Sequence, residues 1–236
     1  MRALFGMALA LTLAAVQPVS AAKVIVFGAS GQLGAEVVRE LAAAGHQVTA
    51  FVRPSSDLAR IKDSKVALAK GDVLSDADVS AAFKGAGFDV VVDALARGKS
   101  GPEFYDISEK LISAHAKANG VKHIILHSSV GAGESRVIYP KDRWEAMRPT
   151  LEAKEAGEKH VMAAGVRYTI IRNAVLRNLE PGATDKAALT ENQMSFGAVT
   201  RTGLARLTRE CIDNAACANK IFHAIDPDVK IPTAPR

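Results

Sequence analysis

The sequence predicts an α/β fold, a single doubly wound parallel sheet with helices on both faces, and three observations predict it. Short apolar runs recur along the 236 residues, each followed by a stretch of helical length with one apolar stripe, the alternation of βαβ units. The runs Val24–Phe27 and Phe88–Val92 are apolar without alternation, as strands covered on both faces must be. Between the first run and the first helix lie Gly28, Gly31 and Gly34.

That opening stretch, KVIVFGASGQLGAEVVREL from Lys23 to Leu41, organises the rest. Gly28 can adopt the backbone angles of a tight turn, Gly31 has no Cβ to keep a phosphate away, and Gly34 lets the helix approach the strand. Leu33, Val37, Val38 and Leu41 form the helix stripe. Free N–H groups at the start of that helix then face the ligand, so a Rossmann-like, dinucleotide-binding turn is the expectation.

Gly45 stops the helix, and His46–Val52 is the second strand, ended by Arg53-Pro54. Sites preferring NAD carry an acidic residue here for the ribose 2′-hydroxyl. Arg53 would instead pair with a 2′-phosphate, which favours NADP(H) over NAD(H). A solvated surface arginine is the other reading of that residue.

Lys65–Ala69 is a short third strand leading into Gly71-Asp72-Val73, and Ser75 caps a helix over Ala77–Lys84. Phe88–Val92 is the fourth strand, followed by Asp93-Ala94-Leu95-Ala96-Arg97-Gly98, small residues where a cofactor would cross the strand ends. Pro102–Ala118 reads as a helix buried through Ile107, Leu111, Ile112 and Ala116 and stopped by Gly120. His123–Leu126 is the fifth strand, followed by His127-Ser128-Ser129-Val130-Gly131. A polar, irregular stretch over Gly133–Ala146 holds Trp144, Leu151–Ala164 is a helix, and Arg167–Ile171 is the sixth strand.

From Arg172 the alternation breaks. Asn173–Met194 reads as loop with one short helical turn, Gly203–Asn214 as helix and Lys220–Ala224 as a last strand. Asp226–Arg236, with three prolines, reads as a flexible tail. The expected organisation is therefore a leader over 1–22, one domain over 23–226 with substrate-side elements near 133–147 and 173–215, and a tail over 227–236.

The leader differs in kind from the rest of the chain. Met1-Arg2 gives a positive start, Ala3–Val16 is almost wholly apolar, and Pro18–Ala22 supplies small residues for cleavage after Ala22 or Ala21. It is short for a bilayer span and reads as a secretory signal peptide, giving a periplasmic or secreted protein without stable membrane insertion. A mis-assigned start, and so a cytoplasmic protein, is the alternative. Cys211 and Cys217 either bridge, if their helix ends before the second, or stay unrelated thiols. The net charge of +5 is spread along the chain, which argues against a nucleic-acid partner. The six histidines lack metal-ligand spacing, and no metal is expected.

Taken together, GASGQLG at 28–34, Arg53, GDV at 71–73, HSSVGA at 127–132, AKEAGEKHVMAAGVRYTIIR at 153–172 and VTRTGLARL at 199–207 resemble the atypical short-chain dehydrogenase/reductase family. The likeness is to its NAD(P)H-binding, NmrA-like and biliverdin/flavin reductase-like branch. The resemblance implies that Gly28, Ser30, Gly31, Gln32, Leu33 and Gly34 serve the pyrophosphate and Arg53 the 2′-phosphate. It implies that Asp72 and Val73 meet the adenine edge and that Ala94, Leu95 and Ala96 lie along the ribose. Ser129 matches the serine that polarises a substrate carbonyl, and Lys154 the lysine that binds the nicotinamide ribose. Turn and surface roles are the plainer readings of those last two.

The catalytic tyrosine of the family, four residues before that lysine, is Thr150 here, and Asn173 stands where a proline is usual. A threonine alcohol is too weakly acidic to deliver a proton at neutral pH. Tyr139 reads as a packing residue at a loop edge. The expected function is an NAD(P)H-dependent reductase of a small conjugated acceptor (a flavin, a quinone or a linear tetrapyrrole). The lid would come from Gly133–Ala146 and Leu176–Thr200, with Trp144, Met194 and Phe196 as apolar contacts. The alternative is a non-catalytic NADP-binding sensor or assembly factor. A monomer or homodimer is expected in either case.

Overall fold

The computed structural model describes residues 21–178 and 186–231. β1 (Lys23–Phe27), α1 (Gln32–Ala43) and β2 (Gln47–Val52) come first, followed by β3 (Ala67–Lys70), α2 (Asp76–Phe83) and β4 (Val90–Asp93). Then come α3 (Phe104–Ala118), β5 (His123–Ser129), α4 (Lys141–Ala163) and β6 (Arg167–Asn173). The chain ends with β7 (Val175–Arg177), β8 (Ala188–Thr190), β9 (Ala198–Thr200), α5 (Arg201–Cys211) and β10 (Lys220–Ile225).

The main sheet has the order β3-β2-β1-β4-β5-β6-β10-β8, parallel except for the antiparallel edge strand β8. The order reverses between β1 and β4, which places a crevice beyond the carboxyl ends of those strands. Successive side chains leave a strand on opposite faces. Val24 and Val26 therefore join the core under α1 and α5, while Ile25 and Phe27 join the core under α2, α3 and α4. The doubly wound α/β sheet predicted from the sequence is the one observed.

Four segments depart from the sequence expectations. α4 starts at Lys141, and a 3-10 turn over Gly133–Ile138 precedes it, so the stretch expected to be irregular is mostly helical. Pro149 lies inside that helix, and the surrounding residues are largely exposed, leaving no apolar stripe to reveal them. In α3, Ile107 is 40% exposed, whereas Tyr105, Ser108, Glu109, Ile112, Ser113 and Ala116 are buried. The buried face is thus rotated and partly polar. Asn173–Met194 includes β7 and β8, and β7 pairs with β9 in a small ribbon beyond the end of β6.

α5 ends at Cys211 rather than Asn214, and a 3-10 turn over Ala215–Cys217 brings Cys217 back. The two cysteines form a disulfide with a Cα–Cα distance of 5.5 Å. At the start of the described residues, Ala22 is buried and its N–H donates to His46 Nδ1 at 3.2 Å. Residues 1–20 of the expected leader lie outside the described residues, as do 232–236 of the expected tail. Val229 in that tail is buried, and the Asp226 N–H donates to the Ala198 carbonyl at 2.8 Å.

Candidate functional site

A cleft of about 550 Å³ opens at the crevice between β1 and β4. Its floor is the turn after β1. Gly28 has φ +75°, and a Cβ there would stand 2.6 Å from the Ala94 carbonyl oxygen, so only glycine fits. Gly31 donates its N–H to the Gly28 carbonyl at 2.9 Å. No side chain caps the start of α1, and its first turn holds no acidic residue, so its free N–H groups remain available to an anion.

Gly28, Ser30, Gly31, Gln32, Leu33, Arg53, Asp72, Val73, Ala94, Leu95, Ala96, Ser129 and Lys154 all line this one cleft. Gly34 does not; it lies beneath, where a Cβ would stand 2.2 Å from the Gly28 carbonyl oxygen. Its contribution is the close packing of α1 on the turn. Ser129 Oγ donates to the Val130 carbonyl at 3.0 Å. Asp72 accepts the Leu74 N–H at 3.0 Å, which holds the loop after β3 against the cleft mouth.

Four cations line the wall: Arg53, Arg97, Lys154 and Arg201. Arg53 is exposed at the end of β2. Arg97 donates from Nη1 to the Ser100 carbonyl at 2.6 Å, and Arg201 donates from Nη1 to Asn178 Oδ1 at 3.0 Å. Lys154 Nζ lies 3.9 Å from the centroid of the Tyr105 ring. Among the described residues none of the four forms an ion pair with a carboxylate, whereas Arg39, Lys122, Arg167, Arg172 and Arg209 elsewhere do. Burial lowers the pKa of Arg201, with Glu36 acting against it.

Several lining residues were given no role from the sequence, Arg97, Tyr105, His127 and Arg201, whereas Leu176 opens the expected lid segment. His127 was inside a quoted motif, and its position at the end of an apolar strand was a usable signal. Its Nε2 bonds Thr208 Oγ1 at 2.9 Å, and the Thr208 hydroxyl donates to the Leu204 carbonyl at 2.7 Å. The hydroxyl proton is thereby committed, so His127 Nε2 carries the hydrogen and Nδ1 is a bare acceptor. Burial, helped by the charge of Lys154, lowers the His127 pKa to about 3. The ring is neutral at physiological pH.

Neither the residue at the family tyrosine's position nor Tyr139, read from the sequence as a packing residue, lies in the wall. Thr150 is half-buried outside it. Tyr139 stacks edge-on with Phe196 at 5.7 Å, and burial raises its hydroxyl pKa. The phenol that does line the cleft is Tyr105, whose oxygen accepts the Arg97 N–H at 3.2 Å. The apolar lid contacts expected at Trp144, Met194 and Phe196 are also absent from the wall. Trp144 is tied instead to the Gly131 carbonyl through Nε1 at 2.9 Å, while Met194 and Phe196 are 59% and 41% exposed.

The glycine turn, the uncapped helix start and the cations without a carboxylate partner among the described residues fit a dinucleotide. The model of a family described as NAD(P)H-binding matches residues 28–215. The chain belongs to that NAD(P)H-binding family. A Bacillus subtilis protein named as an uncharacterized sugar epimerase is 29% identical over 226 residues, covering 90% of this chain and 98% of its own. A photosystem II assembly factor of Synechocystis is 29% identical over 157 residues, covering 64% of this chain and 44% of its own. Among solved structures, an anaerobillin reductase of Escherichia coli superposes with a TM-score of 0.77 at 24% identity, covering 89% of this chain and all of that one. The last likeness is one of fold.

Proposed function

We propose that the protein is an NADPH-dependent reductase of a small conjugated acceptor such as a flavin, a quinone or a linear tetrapyrrole. The observation that carries this reading is the meeting of Ser129 and Lys154 with the glycine turn in one cleft, without a phenol at position 150. Gly28, Gly31 and the start of α1 would hold the pyrophosphate, and Lys154 the ribose beside the nicotinamide. Arg53, which forms no ion pair with an acid among the described residues, would take the 2′-phosphate and select NADPH over NADH. When bound, the dihydronicotinamide supplies hydride. The chain supplies orientation, and Ser129, on the same wall, would donate to an acceptor oxygen. An acceptor that spreads charge over a conjugated system needs little acid help, which suits Thr150. NADPH oxidation by the purified protein with FMN, quinones and simple ketones tests this. Turnover with the first two and not with ketones is the expected result; efficient ketone reduction overturns it.

Thr150 and the likeness to an assembly factor favour a second reading, an NADP-binding sensor without turnover. Tight NADPH binding with no oxidation across the acceptor panel, together with a co-purifying partner, selects it. We also propose export by the N-terminal leader. The Cys211–Cys217 bridge supports an oxidising compartment. Because Ala22 is buried against His46, cleavage after Ala21 preserves a contact that cleavage after Ala22 removes. N-terminal sequencing of the fractionated protein is expected to read from Ala22, and finding the intact leader in a cytoplasmic fraction overturns the proposal.

A further inference from the structure

One cation of the cleft wall rests on an aromatic ring. Lys154, half-buried on α4, makes no hydrogen bond or ion pair with an oxygen among the described residues; its Nζ lies 3.9 Å from the centroid of the Tyr105 ring. Arg97 and Arg201 instead donate to a carbonyl and to an amide oxygen. Tyr105, on α3, is 7% exposed and lines the same cleft. A ring face attracts an ammonium through its quadrupole, whereas an oxygen partner would hold it by accepting its hydrogens. The N–H donors turned away from the ring therefore remain for a ligand.

The fold builds this contact from both helices. Gly157 lies one turn after Lys154 on α4. A Cβ there would stand 2.6 Å from Glu109 Cγ and 3.0 Å from the Tyr105 carbonyl oxygen, so the bare position lets α3 and α4 approach closely at this level. The Tyr105 hydroxyl oxygen accepts the Arg97 N–H at 3.2 Å, and Arg97 opens a turn closed by the Ser100 N–H on the Arg97 carbonyl at 2.9 Å. Phe104 packs edge-on against the ring, with centroids 5.4 Å apart. The ring is thus fixed at its backbone, at its hydroxyl and along one side.

We propose that Tyr105 is the positioning residue of Lys154: its ring face seats the ammonium at the cleft wall, so that α3 supplies across the helix interface the phenol ring that α4 lacks at Thr150. The role rests on the reductase reading, in which Lys154 takes the ribose beside the nicotinamide. A long, flexible lysine side chain must be ordered when it binds, at a cost in rotamer freedom. One already seated on a fixed ring has lost that freedom in the folded protein, so the seat raises affinity for whatever Lys154 holds. That ribose is common to NADPH and NADH, so the seat acts on both cofactors alike, unlike Arg53 at the 2′-phosphate.

Two measurements test this, the first without cofactor. Lysines carrying isotope-labelled methyl groups keep their charge, and Lys154→Arg identifies the Lys154 signal in NMR spectra by its loss. That signal is expected upfield of the other lysines, because ring currents shield a group over an aromatic face; the shift should survive Tyr105→Phe and vanish in Tyr105→Leu. In titrations followed by nicotinamide fluorescence, NADPH and NADH are expected to bind about fivefold more weakly to Tyr105→Leu and to Lys154→Met, and within about twofold of the original to Tyr105→Phe. Tyr105→Leu combined with Lys154→Met should be no weaker than Lys154→Met alone, whereas a ring that only packs would add its own loss. A Lys154 signal at the ordinary lysine position in the original protein overturns the seat, needs no Tyr105 variant to fold, and leaves the reductase reading standing. A shifted signal with unchanged affinity in Tyr105→Leu overturns the positioning role. A protein that binds neither cofactor overturns the reductase reading, and the positioning role with it, whatever the NMR result.

Discussion

Arg172 and the four cleft cations are the same chemistry put to opposite use. Arg172 is 3% exposed, and its guanidinium is fully engaged: Nε and Nη2 meet the two oxygens of Glu158 at 3.0 and 2.7 Å, and Nη1 meets Gln193 Oε1 at 3.0 Å. It ties β6 to α4 and to the segment before β9. Among the described residues Arg53, Arg97, Lys154 and Arg201 form no ion pair with a carboxylate, though the sequence holds 25 acidic residues. A charge whose counter-ion is built into the fold supports the fold. A charge left without one is available to an anion from outside, such as the phosphates of the proposed cofactor.

The widest gap between the two groups is expected in stability. Glu158→Gln leaves the buried Arg172 charge without its anion and should cost about 3–5 kcal/mol in denaturant unfolding. If the loss stays below about 1 kcal/mol, the buried pair is not the support claimed for it.

Acid should reach the neutral buried groups next. Burial lowers the pKa of His123 to about 4 and of His127 to about 3, from an ordinary value of 6.5. The unfolded chain therefore takes up protons first, and stability falls as pH drops from 6.5 toward those values. The expected loss is on the order of 3 kcal/mol per histidine at full titration. Unfolding midpoints against pH should steepen across that window, and His127→Gln should flatten its lowest part. A flat profile in the original protein would mean that neither ring is buried in neutral form.

Among the cleft cations the expected effects are on binding. Arg53→Ala should weaken NADPH by about tenfold, leave NADH unchanged and alter stability little. Equal losses for both cofactors would remove Arg53 from the 2′-phosphate. Arg201→Ala, beside the first turns of α1, should weaken both cofactors alike by about threefold, with the loss shrinking in high salt. The smallest change belongs to a half-exposed pair on the outside. Glu40→Gln separates the Arg209–Glu40 contact of 2.7 Å, and solvent screening should hold the cost to about 1 kcal/mol or less.

The site was legible where function needs a local backbone shape. Gly28 and Gly31 announce a turn that a Cβ would block, and Lys154 and Ser129 stand at family positions that the fold brings to the same cleft. Legibility failed where the signal was polar or exposed. The first ten residues of α4 offer no apolar stripe, and Pro149 imitates a helix stop. The inward face of α3 includes Ser108, Glu109 and Ser113, which a search for apolar periodicity passes over in favour of Ile107. The spread of basic residues along the chain likewise hides the convergence of Arg53, Arg97, Lys154 and Arg201 on one wall.

By itself the sequence determined the alternation of strands and helices from β1 to β6, the glycine turn after β1 and the basic residue after β2. These are local matters, fixed by side-chain period and backbone freedom within a few residues. The tertiary structure alone decided that Asp93 and Glu109 are both buried, that Glu158 meets Arg172 and that, among the described residues, four cleft cations form no ion pair with a carboxylate. Those outcomes depend on the register of parallel strands and on the rotation of α3 against α4, which bring together residues distant along the chain.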